Sequence, residues 1–237
     1  MNIVGIIPAR YNSTRLPGKP LEDINGTAMV MRVVGQAEKA ELSEVIVATD
    51  DNRIYEHVIN HGGKAVMTSP DHPSGTDRCL EAALQCKTSP DAVINIQGDE
   101  PFIEPQVINK LASLLRTKKI QICTLIKKFD SKENLQNQNR VKVQVDDNGK
   151  ALSFSRKVGN PSIAYFQHLG IYGYTMKALK EITQLDQSPL ELEEKLEQLR
   201  WFENGYDIYT AKVQENSVCV DTPEDLATAR TLAQKME

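Results

Sequence analysis

Short β-rich apolar runs alternate with amphipathic stretches along the first half of this 237-residue chain. That rhythm is what a mostly parallel sheet with crossover helices requires: strands buried on both faces read as continuous Val/Ile runs, and each helix between them covers one face. Residues 3–7, 45–49, 65–68, 93–96 and 120–125 read as strands; 29–40, 54–61, 77–85 and 105–116 read as helices, the second ending at Gly62-Gly63. The pattern then changes. Residues 141–145 and 151–154 flank Asp146-Asp147-Asn148-Gly149, whose Asn-Gly pair supplies positive φ, so an antiparallel hairpin is predicted. Strands at 169–174 and 208–213 enclose a long charged helix at 190–204. Thr222-Pro223-Glu224-Asp225 opens the last helix, to about Met236, with a capping hydroxyl, a first-turn proline and acids favoured by the helix dipole. With no internal repeat or linker, the expectation is one α/β domain over 1–237 with an antiparallel elaboration at about 126–175 and an exposed polar connection at 131–140.

Composition excludes several classes. Forty per cent hydrophobic and 25% charged residues are ordinary for a globular chain, which removes disorder, collagen-like repeats and coiled-coil rods. With 28 Lys plus Arg against 32 Asp plus Glu, the net charge of −4 offers no general attraction for nucleic acid. The apolar start at 3–9 lacks a preceding basic region and falls far short of the roughly 20 residues of a membrane span, so neither a signal peptide nor a membrane anchor is expected. Cys79, Cys86, Cys123 and Cys219 form no CxxC pair and read as buried reduced thiols of a cytoplasmic protein. His57 and His61 lack the glutamate of an HExxH zinc site and read as a solvated helix face.

Ligands of open parallel sheets bind outside the carboxyl ends of the strands, which directs attention to the loops there. After the first strand comes PARYNSTRLPGKP, with Arg10, Arg15 and Lys19, the hydroxyls of Ser13 and Thr14, and Gly18. Its cations suit a polyphosphate, Arg by forked contacts and Lys as a point charge; the bland alternative is a solvated basic loop. The segment matches neither GxxxxGK[ST] nor GxGxxG, so P-loop ATPase and dehydrogenase readings fall. Residues 71–78, DHPSGTDR, lead into a helix whose backbone donors, with Ser74 and Arg78, suit a base or phosphate, or simply form a turn capped by Ser74 or Thr76. The fourth strand ends in Gln97-Gly98-Asp99-Glu100-Pro101, where a magnesium ligand would meet a triphosphate. Magnesium takes one or two carboxylates plus phosphates and water, so an acid here needs a distant partner, and Asp221 is the best candidate. Helix-cap roles are the alternative for these acids.

IPARYNSTRLPGKPL, ATDD, MTSPDHPSGTDR, NIQGDEP, FSR, HLGIYGY, LEQLR and VDTPEDL, in this order and over nearly the whole chain, resemble the bacterial 3-deoxy-manno-octulosonate (Kdo) cytidylyltransferase family. GDEP recurs among sugar nucleotidyltransferases; the ordered set with HLGIYGY and LEQLR is far more specific. The resemblance implies a Rossmann-like nucleotidyltransferase fold, mostly parallel, with an antiparallel dimerisation and substrate insertion. It also implies a cytoplasmic homodimer and magnesium-dependent transfer of CMP from CTP to the anomeric hydroxyl of Kdo, giving CMP-Kdo and pyrophosphate for lipopolysaccharide biosynthesis. Its nucleotide contacts fall on Pro8, Ala9, Arg10, Ser13, Arg15 and Lys19, with Ser74, Gly75 and Arg78 near CTP. Asp99 and Asp221 match its metal ligands, and Gln97, Arg156, His168, Tyr172, Glu197 and Gln198 its sugar-acid contacts. Read without the resemblance, His168 is an ordinary half-buried imidazole, and Glu197 and Gln198 are surface positions of a charged helix.

One segment departs from the family. After FSR the family continues with an Ile-Pro pair, a nearby basic residue and a longer excursion, whereas this chain reads KVGNPSIAYFQ over 157–167. The Ile-Pro pair and its basic neighbour, which the family sets near the far end of the sugar, are absent, and this keeps open a Kdo analogue such as 8-amino-Kdo or a noncatalytic nucleotide-binding homologue; another sugar acid such as a sialic acid stays open because the cation-rich first loop would serve it equally well.

Overall fold

The computed structural model describes residues 1–13, 15–117, 119–159, 163–214 and 218–236. In chain order its elements are β1 (Ile3–Ala9), a single 3₁₀ turn at Lys19–Leu21, β2 (Asp23–Ile24), β3 (Thr27–Ala28), α1 (Met29–Ala37), β4 (Glu44–Thr49), α2 (Asn52–Asn60), β5 (Ala65–Met67), α3 (Gly75–Leu84), β6 (Ala92–Asn95) and α4 (Pro105–Leu115). There follow β7 (Ile122–Lys128), α5 (Lys132–Gln136), β8 (Lys142–Val145), β9 (Ala151–Ser155), β10 (Phe166–Thr175), α6 (Met176–Ile182), α7 (Pro189–Glu194), α8 (Gln198–Glu203), β11 (Ile208–Lys212) and α9 (Pro223–Met236). They group into two units, Met1–Asn109 with Asn216–Glu237, and Lys110–Glu215. Among the described residues no helix is long and apolar enough to cross a membrane.

In the first unit β6, β1, β4 and β5 pair in that order, all parallel, with Ile6 of β1 between Ile46 and Asn95. Burial of Ile3, Val4, Ile6 and Ile7 explains the unbroken apolar run of β1. Because every pairing is parallel, the loops after these strands leave from one edge. The tail returns to this unit through a small core of Ile24, Met29, Val220, Leu226, Ala229 and Ala233, with Leu16 and Phe102 against it. Full burial of a Val or Leu is worth about 1.5–3 kcal/mol, whereas an exposed ion pair contributes about 0–1 kcal/mol. Apolar burial, rather than charge pairing, therefore docks the tail.

In the second unit β11 pairs parallel with β7; β7 with β10, β10 with β8, and β8 with β9 are antiparallel. The 142–155 hairpin forms, but among the described residues only Gly149 of the Asn-Gly pair has positive φ, 80°. Its N–H donates to the Asp146 carbonyl at 3.1 Å, a turn closed by one left-handed glycine rather than two left-handed residues. The expected single helix at 190–204 is two, α7 and α8, separated at Lys195, which is left-handed with φ 54°. Packing decides this. The Glu191 carboxylate receives Nε and Nη2 of Arg200 at 2.8 and 2.6 Å with both side chains 7% exposed. In an unbroken helix, nine residues span two and a half turns and about 13.5 Å, placing the two on opposite faces.

Candidate active site

The cations of the first-strand loop meet acids from both ends of the chain. Lys19 Nζ lies 2.8 Å from Asp99 Oδ2 and 3.1 Å from Asp221 Oδ1, and Arg15 Nη2 lies 3.1 Å from the same Asp221 oxygen. Gly18, with φ 73°, turns the chain into the 3₁₀ turn that presents Lys19, and a Cβ on it would sit 3.2 Å from the Tyr11 ring. Asp221 is delivered by a backbone bond, Val220 N–H to the Asp99 carbonyl at 2.9 Å. It is then fixed by the start of α9, where the Asp225 carboxylate accepts the N–H groups of Asp221 and Thr222 at 3.1 and 2.9 Å, and Thr222 Oγ1 accepts the Asp225 N–H. Burial alone would lower the Lys19 pKa, but Asp99 and Asp221 outweigh it and hold the ammonium above the ordinary lysine value.

The remaining nucleotide candidates gather around the end of β1. Pro8 and Ala9 are its last two residues, paired with Ala48 and Thr49. A Cβ on Gly75 would lie 3.6 Å from Pro8 Cγ, and one on Gly98 only 2.8 Å from the Pro8 carbonyl oxygen, so Gly98 lets the Gln97–Glu100 loop cross the strand end closely. Ser74 is the N-cap of α3, accepting from Thr76 and Asp77 N–H. Its hydroxyl donates to Asp77 at 2.6 Å. Arg10 donates to the His72 carbonyl, and His72 Nε2 meets the Glu81 carboxylate. Arg78 is fully buried, donating to Thr68 Oγ1 and to Asp50 at 3.2 Å. Its Nε has no partner among the described residues, and burial lowers its pKa. Ser13 is half-buried with its N–H on the Tyr11 carbonyl, and Thr14 lies outside the described residues.

Of the sugar-acid candidates, Gln97 is half-buried just past β6 in the first unit. The others belong to the second unit. There β10 bulges between Leu169 and Tyr172, and the Thr124 hydroxyl fills the bulge, lying 3.0 and 2.8 Å from the Leu169 and Ile171 carbonyls and 3.0 Å from His168 Nε2. The rings of His168 and Tyr172 are 5.3 Å apart, with Phe154 edge-on to His168 and Trp201 edge-on to Tyr172. His168 is half-buried, as its residue type alone suggested, and desolvation of its ring lowers the pKa to about 3, leaving a neutral imidazole at pH 7 rather than a cation for a carboxylate. Among the described residues the Tyr172 hydroxyl and Gln198 Nε2 are buried without hydrogen-bond partners, and Gln198 is 4% exposed, not the surface position its helix suggested. Burial and then Glu197 raise the Tyr172 pKa. Arg156 donates to the Glu194, Lys195 and Gln138 carbonyls, capping the end of α7. Residues 160–162 of the departing segment lie outside the described residues.

Cysteine placement corrects the expectation of four buried thiols: Cys79 and Cys123 are buried, Cys86 is half-buried, and Cys219 is exposed. Asp50, Thr68, Thr124 and Trp201 escaped sequence reasoning. ATDD and MTSPDHPSGTDR contained Asp50 and Thr68 without giving either a partner, and nothing local marked Thr124 or Trp201.

Asp99 and Asp221 offer two hard oxygen donors to one cation, at present the Lys19 ammonium, so the pair fits a divalent ion. Cations at the carboxyl end of a parallel strand thus face a carboxylate pair in a chain without a P-loop, an arrangement suited to a nucleoside triphosphate and its metal ion. Comparison with known proteins places the chain among the nucleotidyltransferases. The cytidylyltransferase family profile matches residues 4–208. The 3-deoxy-manno-octulosonate cytidylyltransferase of Cytophaga hutchinsonii is 49% identical over 95% of each chain, and that of Parabacteroides distasonis 47% identical over 97% of each. A solved CMP:2-keto-3-deoxy-manno-octonic acid synthetase complexed with CTP superposes over 100% of both chains with a TM-score of 0.96 at 39% identity. The chain belongs to the 3-deoxy-manno-octulosonate cytidylyltransferase family, with its α/β fold and mixed, mostly parallel sheet.

Proposed function

We propose that the protein transfers CMP from CTP to the anomeric hydroxyl of Kdo, releasing pyrophosphate, as one nucleotidyltransferase domain acting as a cytoplasmic homodimer. The observation that carries the proposal is the meeting of Lys19 with both Asp99 and Asp221, in a chain whose CTP-complexed relative covers it completely.

Nucleotidyl transfer asks a protein for alignment and charge stabilisation rather than a covalent nucleophile. Asp99 and Asp221 would hold magnesium, which when bound supplies Lewis acidity at the α-phosphate and lowers the pKa of the attacking hydroxyl. Lys19 and Arg15, released from the carboxylates, would neutralise the triphosphate and the departing pyrophosphate. Arg10, steadied by the His72 carbonyl, adds a forked donor beside Pro8, Ala9, Ser13, Ser74 and Gly75. Buried Arg78 acts by holding the loops of Asp50 and Thr68.

For the acceptor, the Thr124 hydroxyl has one hydrogen and two carbonyls within reach, so its oxygen is left to accept Nε2–H of His168. Nδ1 of the neutral ring then accepts from a sugar hydroxyl. Tyr172 O–H and Gln198 Nε2–H are desolvated in advance and gain partners when the acceptor binds, with Glu197 completing the set in this unit. Arg156 holds the α7 end rather than standing free. Pyrophosphate release with CTP, magnesium and in turn Kdo, 8-amino-Kdo and a sialic acid tests the proposal. Kdo is expected to give the highest kcat/KM; release only with another acceptor, or binding without release on all, would overturn it. Mass measurement in solution checks the homodimer.

A further inference from the structure

Cys219 places a soft donor beside two hard ones. Its Sγ and one oxygen each of Asp99 and Asp221 all lie within 4.8 Å of one another, and the residue is exposed. Two of these donors come from one short segment, 219–221, and the third from the loop to which Val220 is hydrogen-bonded, so the backbone holds all three together. Magnesium takes oxygen and leaves a thiol aside; zinc and cadmium take both, with zinc–sulfur near 2.3 Å and zinc–oxygen about 2.0–2.2 Å. Donors of a tetrahedral set stand roughly 3.5 Å apart on those lengths, so the side chains need close by about an ångström. A cation already bridges the two carboxylates, the ammonium of Lys19 at 2.8 and 3.1 Å.

We propose that Cys219, Asp99 and Asp221 form a site for a thiophilic divalent ion of the zinc and cadmium class, which displaces Lys19 and competes with magnesium. It rests on the assignment of the two aspartates as the cation-holding pair. On binding, a sulfur lone pair forms the metal bond and the thiol proton passes to buffer, with no change of oxidation state. Cys219 has no part in magnesium binding, so the thiol makes the enzyme inhibitable by soft ions without serving turnover.

Cadmium titrated into the nucleotide-free full chain reads the site directly, through the ultraviolet thiolate-to-cadmium charge-transfer band. The band is expected in the wild type and in Cys86→Ala, to vanish in Cys219→Ala, and to require roughly tenfold or more cadmium in Asp221→Asn. Cys219→Ala is expected to keep magnesium-dependent turnover while needing roughly tenfold or more zinc for inhibition. No band in the wild type, or an equal band in Cys219→Ala, would overturn the soft-metal site even with turnover intact. Absence of magnesium-dependent turnover in the wild type would instead strike the proposed function, whatever the band shows.

Discussion

Lys19 lies between two carboxylates, and under the proposed function it would give them up to a divalent cation and turn to phosphate. Removing it should therefore cost charge stabilisation rather than folding. Lys19→Ala is expected to lower pyrophosphate release by about 10²–10³ while circular dichroism stays unchanged; turnover within a few-fold of wild type would deny it the role. A second residue-scale prediction concerns His168, whose folded pKa of about 3 lies below its ordinary 6.5. The unfolded chain binds the extra proton between those values, so the contribution of His168 to stability is complete above pH 6.5 and is lost as pH falls towards 3. His168→Gln, which cannot protonate, should lose less stability than wild type between pH 7 and pH 4 in urea melts. Identical losses would contradict burial of the imidazole. The sequence showed His168 and Tyr172 only through a family motif, because the bulge that turns both rings to one place depends on Thr124, on another strand.

Two elements carry their own tests. The loop after β6 passes so near β1 that any side chain at 98 meets the Pro8 carbonyl. Gly98→Ala should cost about 1–3 kcal/mol and lower activity as Asp99 shifts; denaturant midpoints and pyrophosphate release check both, and an unchanged midpoint would show that the loop yields freely. Lys195, left-handed between α7 and α8, is the converse case. Lys195→Gly should raise stability by roughly 0.5–1 kcal/mol, the strain of a left-handed side chain less the extra freedom of glycine in the unfolded chain. A lowered midpoint would mean that the lysine makes contacts outweighing that strain. Sequence periodicity merged these two helices because their residues are helix formers throughout; the break answers to the buried Glu191–Arg200 pair. The short helices Lys132–Gln136 and Met176–Ile182 went unseen because so few turns carry no measurable period.

Across the molecule, the parallel strands of the first unit were legible because strands buried on both faces leave unmistakable apolar runs, and the loops after them marked Lys19, Arg15 and Asp99 as candidates. The partnership of Asp99 with Asp221 was reachable from a chemical requirement for a second carboxylate and from the family resemblance, not from local pattern, since the contacts that create it, the Val220–Asp99 backbone bond and the tail core, are long-range. The alternative reading of Gln198 as a surface position and the expectation of a buried Cys219 fail for the same reason: local pattern assigns a face, and tertiary packing reassigns it. Under the proposed function, acids from distant parts of the chain share one cation in catalysis. Magnesium titrations of pyrophosphate release from CTP and Kdo, run on wild type, Asp99→Ala and Asp221→Ala, test it most directly. Both variants should remain folded and lose magnesium-dependent release by about 10²-fold or more; near-normal release with an unchanged magnesium requirement in either would contradict the shared site.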